Sequence, residues 1–348
     1  MKKIVSFFSI AVLYSAMPVS SFAQQSIEGT KVMPSPLLQL DNFFAHHVLV
    51  AEKSTHSLHL FKNAGGKPEF VRSYQMATGK KPGDKEAEGD FRTPEGVYNF
   101  VDFLTNKQLL AQSGPSGAIY GAGAFVMDFP NPVDKIMKKT GSGIWLHSTN
   151  DETRIDKGLD SRGCVVTANN ELIEVSKYLE LNKTPIVVVQ DLTYVNEKTY
   201  ETQKGELKKT IDGWLDAWRK KDIEKYASYY HPTEFSDVKG KYAAYKAYKK
   251  AVFSNPGEPK IELDHMSMLQ SKSYAVVTFT QNYKSATIND TGRKLLYMRQ
   301  DEGYNWKIVS EVWTKNGLEN IDKLAFEPSL RFFKEGTREG IEIKKGNN

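Results

Sequence analysis

The apolar residues change their period at about Asp191, and that change commits the chain to two differently built units. From Val48 to Val189, short runs of strand formers are separated by turns. Beyond Asp191, Leu207, Ile211, Trp214, Leu215 and Trp218 recur at helical spacing before four further strand-like runs appear. At 348 residues the chain also exceeds what a single hydrophobic core usually serves. We therefore expect a β-rich first domain over 47–191, a linker over 192–199 and an α+β second domain over 200–316. An N-terminal segment (24–46) and a tail (317–348) flank them.

In the first domain, Val48–Ala51 and Ser57–Phe61 read as a hairpin around Lys53–His56, and Phe70–Met76 as a third strand. Thr78 to Gly96 is loaded with Gly, Pro and alternating charge, which predicts loop and turn. No Gly-Lys-Ser/Thr follows at the spacing a phosphate-binding loop needs. Further strands are expected at Ala124–Phe129, Gly143–His147, Cys164–Val166 and Thr184–Val189. A helix is expected over Asn170–Leu181, capped by Thr167 or Asn169. In the second domain, helices are expected from Leu207, from Asp222 through Tyr230, and over Tyr242–Val252. Strands follow at Ile261–Leu269, Tyr274–Tyr283, Lys294–Gln300 and Trp306–Trp313.

Residues 1–23 have the form of a secretory signal: Lys2 and Lys3, an apolar run Ile4–Ala16, and small residues at Ser21-Phe22-Ala23. The apolar run is shorter than the ~20 residues of a spanning helix, so no stable transmembrane span is expected. This reading sends the chain to a bacterial periplasm. Removal of two lysines lowers the formal charge from +5 to about +3, too little to argue for nucleic acid.

Cys164 is the only cysteine, so in an oxidising compartment it has no intramolecular partner. It is an intermolecular link, an inert buried residue or a reactive thiol. Upstream stands His147, on the predicted end of a neighbouring strand and within reach as a base. Arg162 could favour a thiolate or hold a substrate carboxylate. Gly163 permits close backbone approach, and the N–H groups of Gly163 and Cys164 are natural oxyanion donors.

His147-Ser148-Thr149 followed by Ser161-Arg162-Gly163-Cys164-Val165-Val166 resembles the catalytic motif of L,D-transpeptidases of the YkuD type. Thr78-Gly79-Lys80 and Gly89-Asp90-Phe91-Arg92-Thr93-Pro94-Glu95-Gly96-Val97-Tyr98 agree with further blocks of that family, over roughly Val48 to Asp191. The resemblance implies a β-rich catalytic domain acting on peptidoglycan stem peptides. There a cysteine attacks the carbonyl at the L-centre of the third residue and expels D-alanine. On this reading Cys164 is the nucleophile, His147 the base, the Ser148 backbone carbonyl the group that orients the imidazole, and the Gly163 backbone part of the site. Arg162, Ser161, Tyr120, Gly121 and Phe125 are expected to bind substrate. Relatives often have Gly at the position of Ser148 and His at that of Arg162, which leaves acid/base work to His147 alone. No cofactor and no metal are implied.

The region from Tyr200 to Trp313 resembles the α+β cone of nuclear transport factor 2-like domains, through Trp214–Asp222, Tyr229-Tyr230-His231-Pro232 and Trp306–Val309. Tyr226, Tyr230, His231 and Asp264 are candidates to line a pocket there, against the reading that the aromatics are core. The pair of domains resembles periplasmic, cell-shape-determining L,D-carboxypeptidases, which implies trimming of tetrapeptide stems to tripeptides. Expected partners are stem peptides, with room for other cell-wall proteins. The rival readings are transpeptidation, including attachment or detachment of a lipoprotein, and a non-catalytic wall-binding protein. A metal site on His46, His47, His56 and His59 is disfavoured, because His56 and His59 fall on opposite faces of a strand.

Overall fold

The computed structural model describes residues 32–315, 318–319 and 326–333. The expected leader at 1–23 and the tail beyond Lys334 lie outside the described residues. The chain opens with β1 (Val32–Pro34) and β2 (Leu37–Gln39). There follow β3 (His47–Glu52), β4 (Ser57–Ala64), β5 (Lys67–Gly79), β6 (Gly96–Thr105), α1 (Asn106–Ser113), a 3₁₀ turn (Gly114–Tyr120) and β7 (Gly123–Met127). Next come α2 (Pro132–Ile136), β8 (Trp145–His147), α3 (Thr153–Asp156), β9 (Leu159–Ser161), β10 (Val165–Thr167), α4 (Asn169–Ser176) and β11 (Pro185–Val189).

Strands β3 to β11 form one sheet in the order β10-β8-β7-β6-β11-β3-β4-β5-β9, and β10 also pairs with β5. That extra pairing closes the sheet into a barrel, leaving only the short β9 with a single partner. The expected hairpin is β3 with β4, from His47↔Lys62 to Glu52↔Ser57. The loop between β5 and β6 is folded on itself: the Asp90 carboxylate accepts from the N–H groups of Glu86, Ala87 and Arg92 and from Lys85 Nζ.

The second unit consists of β12 (Tyr194–Asn196), α5 (Glu197–Arg219), α6 (Ile223–Ser228), β13 (Ser236–Asp237), β14 (Gly240–Lys241), α7 (Tyr242–Phe253), β15 (Lys260–Gln270), β16 (Ala275–Lys284), β17 (Asn289–Gln300) and β18 (Trp306–Thr314). Its antiparallel sheet runs β18-β17-β16-β15-β2, and helices α5 to α7 pack on it to give a cone. The β2 edge comes from the segment that the sequence reading leaves outside either domain. β1 pairs with β12, so the expected linker is a strand followed by the first turn of α5.

Burial on both faces explains the continuous apolar runs. On β3, Leu49 and Ala51 point into the barrel while Val48 and Val50 point out; on β11, Ile186 and Val188 point in and Val187 and Val189 out. The outward set meets Leu269, Val276, Leu295 and Tyr297 from the cone sheet. Each large apolar side chain so buried stabilises the junction by about 2 kcal/mol. The two units therefore share a core instead of hanging on a tether.

Three expectations need correction. α4 stops at Ser176 instead of Leu181, and its N-cap is Ala168, which makes no side-chain capping bond. α6 ends at Ser228, because Tyr230 leaves the helix to bridge Ile308. The segment 326–333, assigned to a tail, packs on the barrel: Phe332 and Phe333 lie 5.0 and 5.1 Å from the Phe103 ring, and Arg331 donates to the Leu179 carbonyl.

Candidate active site

β8 and β10 are parallel neighbours, with Val165 opposite Leu146 and Val166 opposite His147. Side chains alternate along a strand, so Cys164, two residues before Val166, continues the face that His147 occupies. Cys164 packs against Ala77, Ile155 and Val166, and its Sγ lies 3.4 Å from the Gly143 carbonyl oxygen. His147 is buried at the C-terminal end of β8, with Nδ1 at 2.5 Å from the Ser148 carbonyl oxygen. That bond assigns the proton to Nδ1 and leaves Nε2 as the basic nitrogen. The Tyr120 ring stands edge-on to the imidazole at 4.9 Å.

Burial dominates the electrostatics. Cys164 is partly exposed, and desolvation by its surroundings pushes the thiol up to about 11, against a smaller opposing contribution from the Trp145 N–H. Desolvation pulls His147 down to about 4, despite the bond to Ser148. At neutral pH both groups are thus uncharged, a thiol and a neutral base on one face of adjacent strands. The sequence reading looks for a cation that favours the thiolate, and burial outweighs any such effect. The nearby cation that acts on both groups is Arg154, held by Asp160 and by the Thr149 hydroxyl at 3.1 Å.

The loop before Cys164 is rigid for identifiable reasons. The Ser161 hydroxyl accepts from the Gly163 N–H at 3.0 Å and donates to the Cys164 carbonyl at 2.6 Å. Gly163 has φ +128°, and a Cβ there would come within 2.8 Å of the Arg92 carbonyl oxygen. Gly79 is as confined, since a Cβ would lie 2.2 Å from the Phe91 carbonyl oxygen. The Thr93 hydroxyl accepts from the Gly79 N–H, which ties the Gly-Asp-Phe-Arg-Thr-Pro block to β5.

Several expected binding residues lie elsewhere. Phe125 is a correction: its ring is fully buried in the barrel, 5.7 Å from Phe100 and 4.6 Å from Phe103, so it faces no substrate. Ser161 is also buried, with its hydroxyl used inside the loop. The Gly163 N–H is taken by Ser161, which removes it as an oxyanion donor. Gly121, at φ +54°, is buried against Ser148, Thr149 and Asn169, where a Cβ would come within 2.6 Å of each. Tyr120 stands near the thiol: burial raises its phenol, with a smaller contribution from Cys164, while the exposed Arg162 opposes.

Asn169 was read as a helix cap, but its amide holds the turn after His147, donating to the Thr149 carbonyl at 2.6 Å and accepting from the Ser148 hydroxyl at 2.9 Å. Polar residues at the start of helices often cap them, which hid this role. Of the histidines considered for a metal, His46 binds Glu180 and His59 binds Glu52.

In the cone, Tyr226 and Tyr230 are core residues, whereas Asp264 is a surface partner of Asn282 and the His231 ring accepts from the Glu234 N–H. The four do not line a common pocket. The Tyr230 hydroxyl instead donates to Glu311, which pairs with Lys294 at 2.7 Å. A cavity of about 350 Å³ opens nearby, lined by Trp218, Lys249, Lys294 and Trp313 among others. Lys249 lies over the Trp218 ring at 4.7 Å, and burial pulls its ammonium down to about 8.

Residues 46–188 match the L,D-transpeptidase catalytic domain family, YkuD, and residues 206–312 match the Cds6 C-terminal NTF2-like domain family. No curated protein matches the chain. Among solved structures, Bd1075 of Bdellovibrio bacteriovorus is similar over 82% of this chain and 99% of its own, at 29% identity and a TM-score of 0.70. The helical cell shape determining protein Pgp2 of Campylobacter jejuni is similar over 80% of this chain and 95% of its own, at 24% identity and a TM-score of 0.62. The barrel that carries Cys164 and His147 is a YkuD-type L,D-transpeptidase catalytic domain, and the cone joined to it is a C-terminal NTF2-like domain.

Proposed function

We propose that the chain is a periplasmic L,D-carboxypeptidase that removes the terminal D-alanine from peptidoglycan tetrapeptide stems and so affects cell shape. The observation that carries this reading is that Cys164 and His147 share one face of adjacent parallel strands, with the imidazole Nδ1 engaged by the Ser148 carbonyl. In that state Nε2 accepts the thiol proton as the sulfur attacks the carbonyl carbon at the L-centre of the third stem residue. The Cys164 N–H is the remaining backbone donor for the oxyanion. When the tetrahedral intermediate collapses, the C–N bond breaks and the imidazolium returns its proton to the departing D-alanine amine, leaving a thioester on Cys164. Water, deprotonated by the same nitrogen, then attacks the thioester and the thiol is released.

If another stem's amine takes the acyl group in place of water, the product is a cross-link. The joined NTF2-like domain favours hydrolysis, because the two-domain arrangement resembles cell-shape L,D-carboxypeptidases and the similar Pgp2 is named for helical cell shape. Incubation with disaccharide tetrapeptides, read by mass, tests the proposal. Tripeptide with free D-alanine supports it. Linked dimers would instead make the chain a transpeptidase, and unchanged substrate would make it a wall-binding protein.

A further inference from the structure

Every hydrogen-bonding position of the Asn169 amide is used, and two of its four bonds go to the Ser148-Thr149 segment that follows His147. Oδ1 accepts from the Ser148 hydroxyl and from the Ala122 N–H, both at 2.9 Å; Nδ2 donates to the Thr149 carbonyl at 2.6 Å and to Glu152 Oε1 at 3.0 Å. The residue is 2% exposed, so its amide has no water to replace a lost partner. Glu152 Oε1 also accepts from the Asn169 backbone N–H at 3.0 Å, which fixes the amide's own position.

The peptide unit between Ser148 and Thr149 carries the carbonyl that meets His147 Nδ1. A single amide grips the residue on each side of that unit, which restrains both of its ends and with them the direction of the carbonyl. The chain packs against this clamp at Gly121, where a Cβ would sit 2.5 Å from Asn169 Oδ1 and from the Thr149 nitrogen.

We propose that Asn169 is a positioning residue for His147. By holding the Ser148 carbonyl in place, it keeps the imidazole in the form with Nδ1 protonated and Nε2 free to take the thiol proton. The inference rests on the reading of His147 as the base.

Asn169→Asp tests it, because the substitution puts an acceptor against the Thr149 carbonyl and the Glu152 carboxylate while keeping the volume. On disaccharide tetrapeptide, kcat is expected to fall about 10²-fold with KM unchanged, the signature of a base displaced in the transition state. In protein labelled with ¹⁵N-histidine, the Nδ1–H resonance of His147 is expected to shift and to exchange faster with water. Ser148→Ala, which removes the hydroxyl and keeps the carbonyl, reads the same coupling if the aspartate variant does not fold, and is expected to move that resonance in the same direction. A folded variant with a wild-type imidazole resonance overturns the proposal even if kcat falls. A wild-type protein that turns over no stem peptide would sink the proposed reaction, and the resonance would still decide the clamp.

Discussion

The hydroxyl of Tyr274, the residue before β16 of the cone, lies 2.7 Å from the backbone nitrogen of Val97 on a barrel strand. It also accepts from Asn131 Nδ2 at 2.7 Å, so one phenol satisfies two buried barrel donors. Tyr274→Phe strands both, at about 1–3 kcal/mol each. Urea unfolding should show a lower midpoint. A wild-type midpoint would mean that this phenol adds nothing to the junction.

Cys164→Ala should abolish release of D-alanine while the protein unfolds at the wild-type temperature, because the side chain adds little to the core. Mass analysis of digested tetrapeptide substrate checks the first part and calorimetry the second. Retained turnover would remove Cys164 from the chemistry.

Burial raises the Cys164 thiol from 9.0 to about 11, so the thiol is protonated at every pH well below that value. Iodoacetamide should therefore alkylate the free enzyme at pH 7 roughly a hundredfold more slowly than an unperturbed thiol, and the rate should climb steadily towards pH 11. A plateau below pH 8 would reveal a thiolate–imidazolium pair instead.

The fold and the chemistry were legible to different depths. β3, β11 and α5 could be read directly because burial on both faces, or one clear stripe, leaves an unbroken signature in the residues. β8 and β10 are read to within two residues, but β9 is only three residues long and β2 pairs only with β15 far along the chain, so pattern alone is too short to locate those two. Gly96–Thr105 was missed as a strand because Asn99 and Asp102 interrupt its apolar run. At the site, Cys164 and His147 stood out by residue type. Phe125 and Ser161 did not reveal their inward orientation, since alternation says that two faces exist and not which one meets solvent. Asn169 was hidden because asparagine beside a helix start has a commoner use.

His147 is held neutral in the fold, with its pKa lowered from 6.5 to about 4. The unfolded chain therefore binds a proton that the folded chain refuses between those values, and stability falls as pH drops from 6.5 towards 4. The contribution is roughly 3 kcal/mol. His147→Gln should remove this part of the pH dependence, measured as the difference in urea unfolding free energy between pH 7 and pH 4.5. Equal slopes for the two proteins would show that the imidazole is not held neutral. The same variant should lose several orders of magnitude in kcat, as expected when a base that also orients the attack is absent.

Gly163→Ala should cost about 1–3 kcal/mol through its φ of +128°, and more through the approach to the Arg92 carbonyl. The loop has to move to admit the methyl, so turnover should drop further than stability does. An active and fully stable variant would show that this backbone is free to adjust.

The rim strand Leu37–Gln39 completes the cone although the chain goes straight on from it to build the barrel. The NTF2-like half is therefore not a cassette. A gene fragment starting at Tyr200 would encode a sheet with one border open to any passing strand. For this protein, exchange of modules between genes has to carry both ends of the reading frame together.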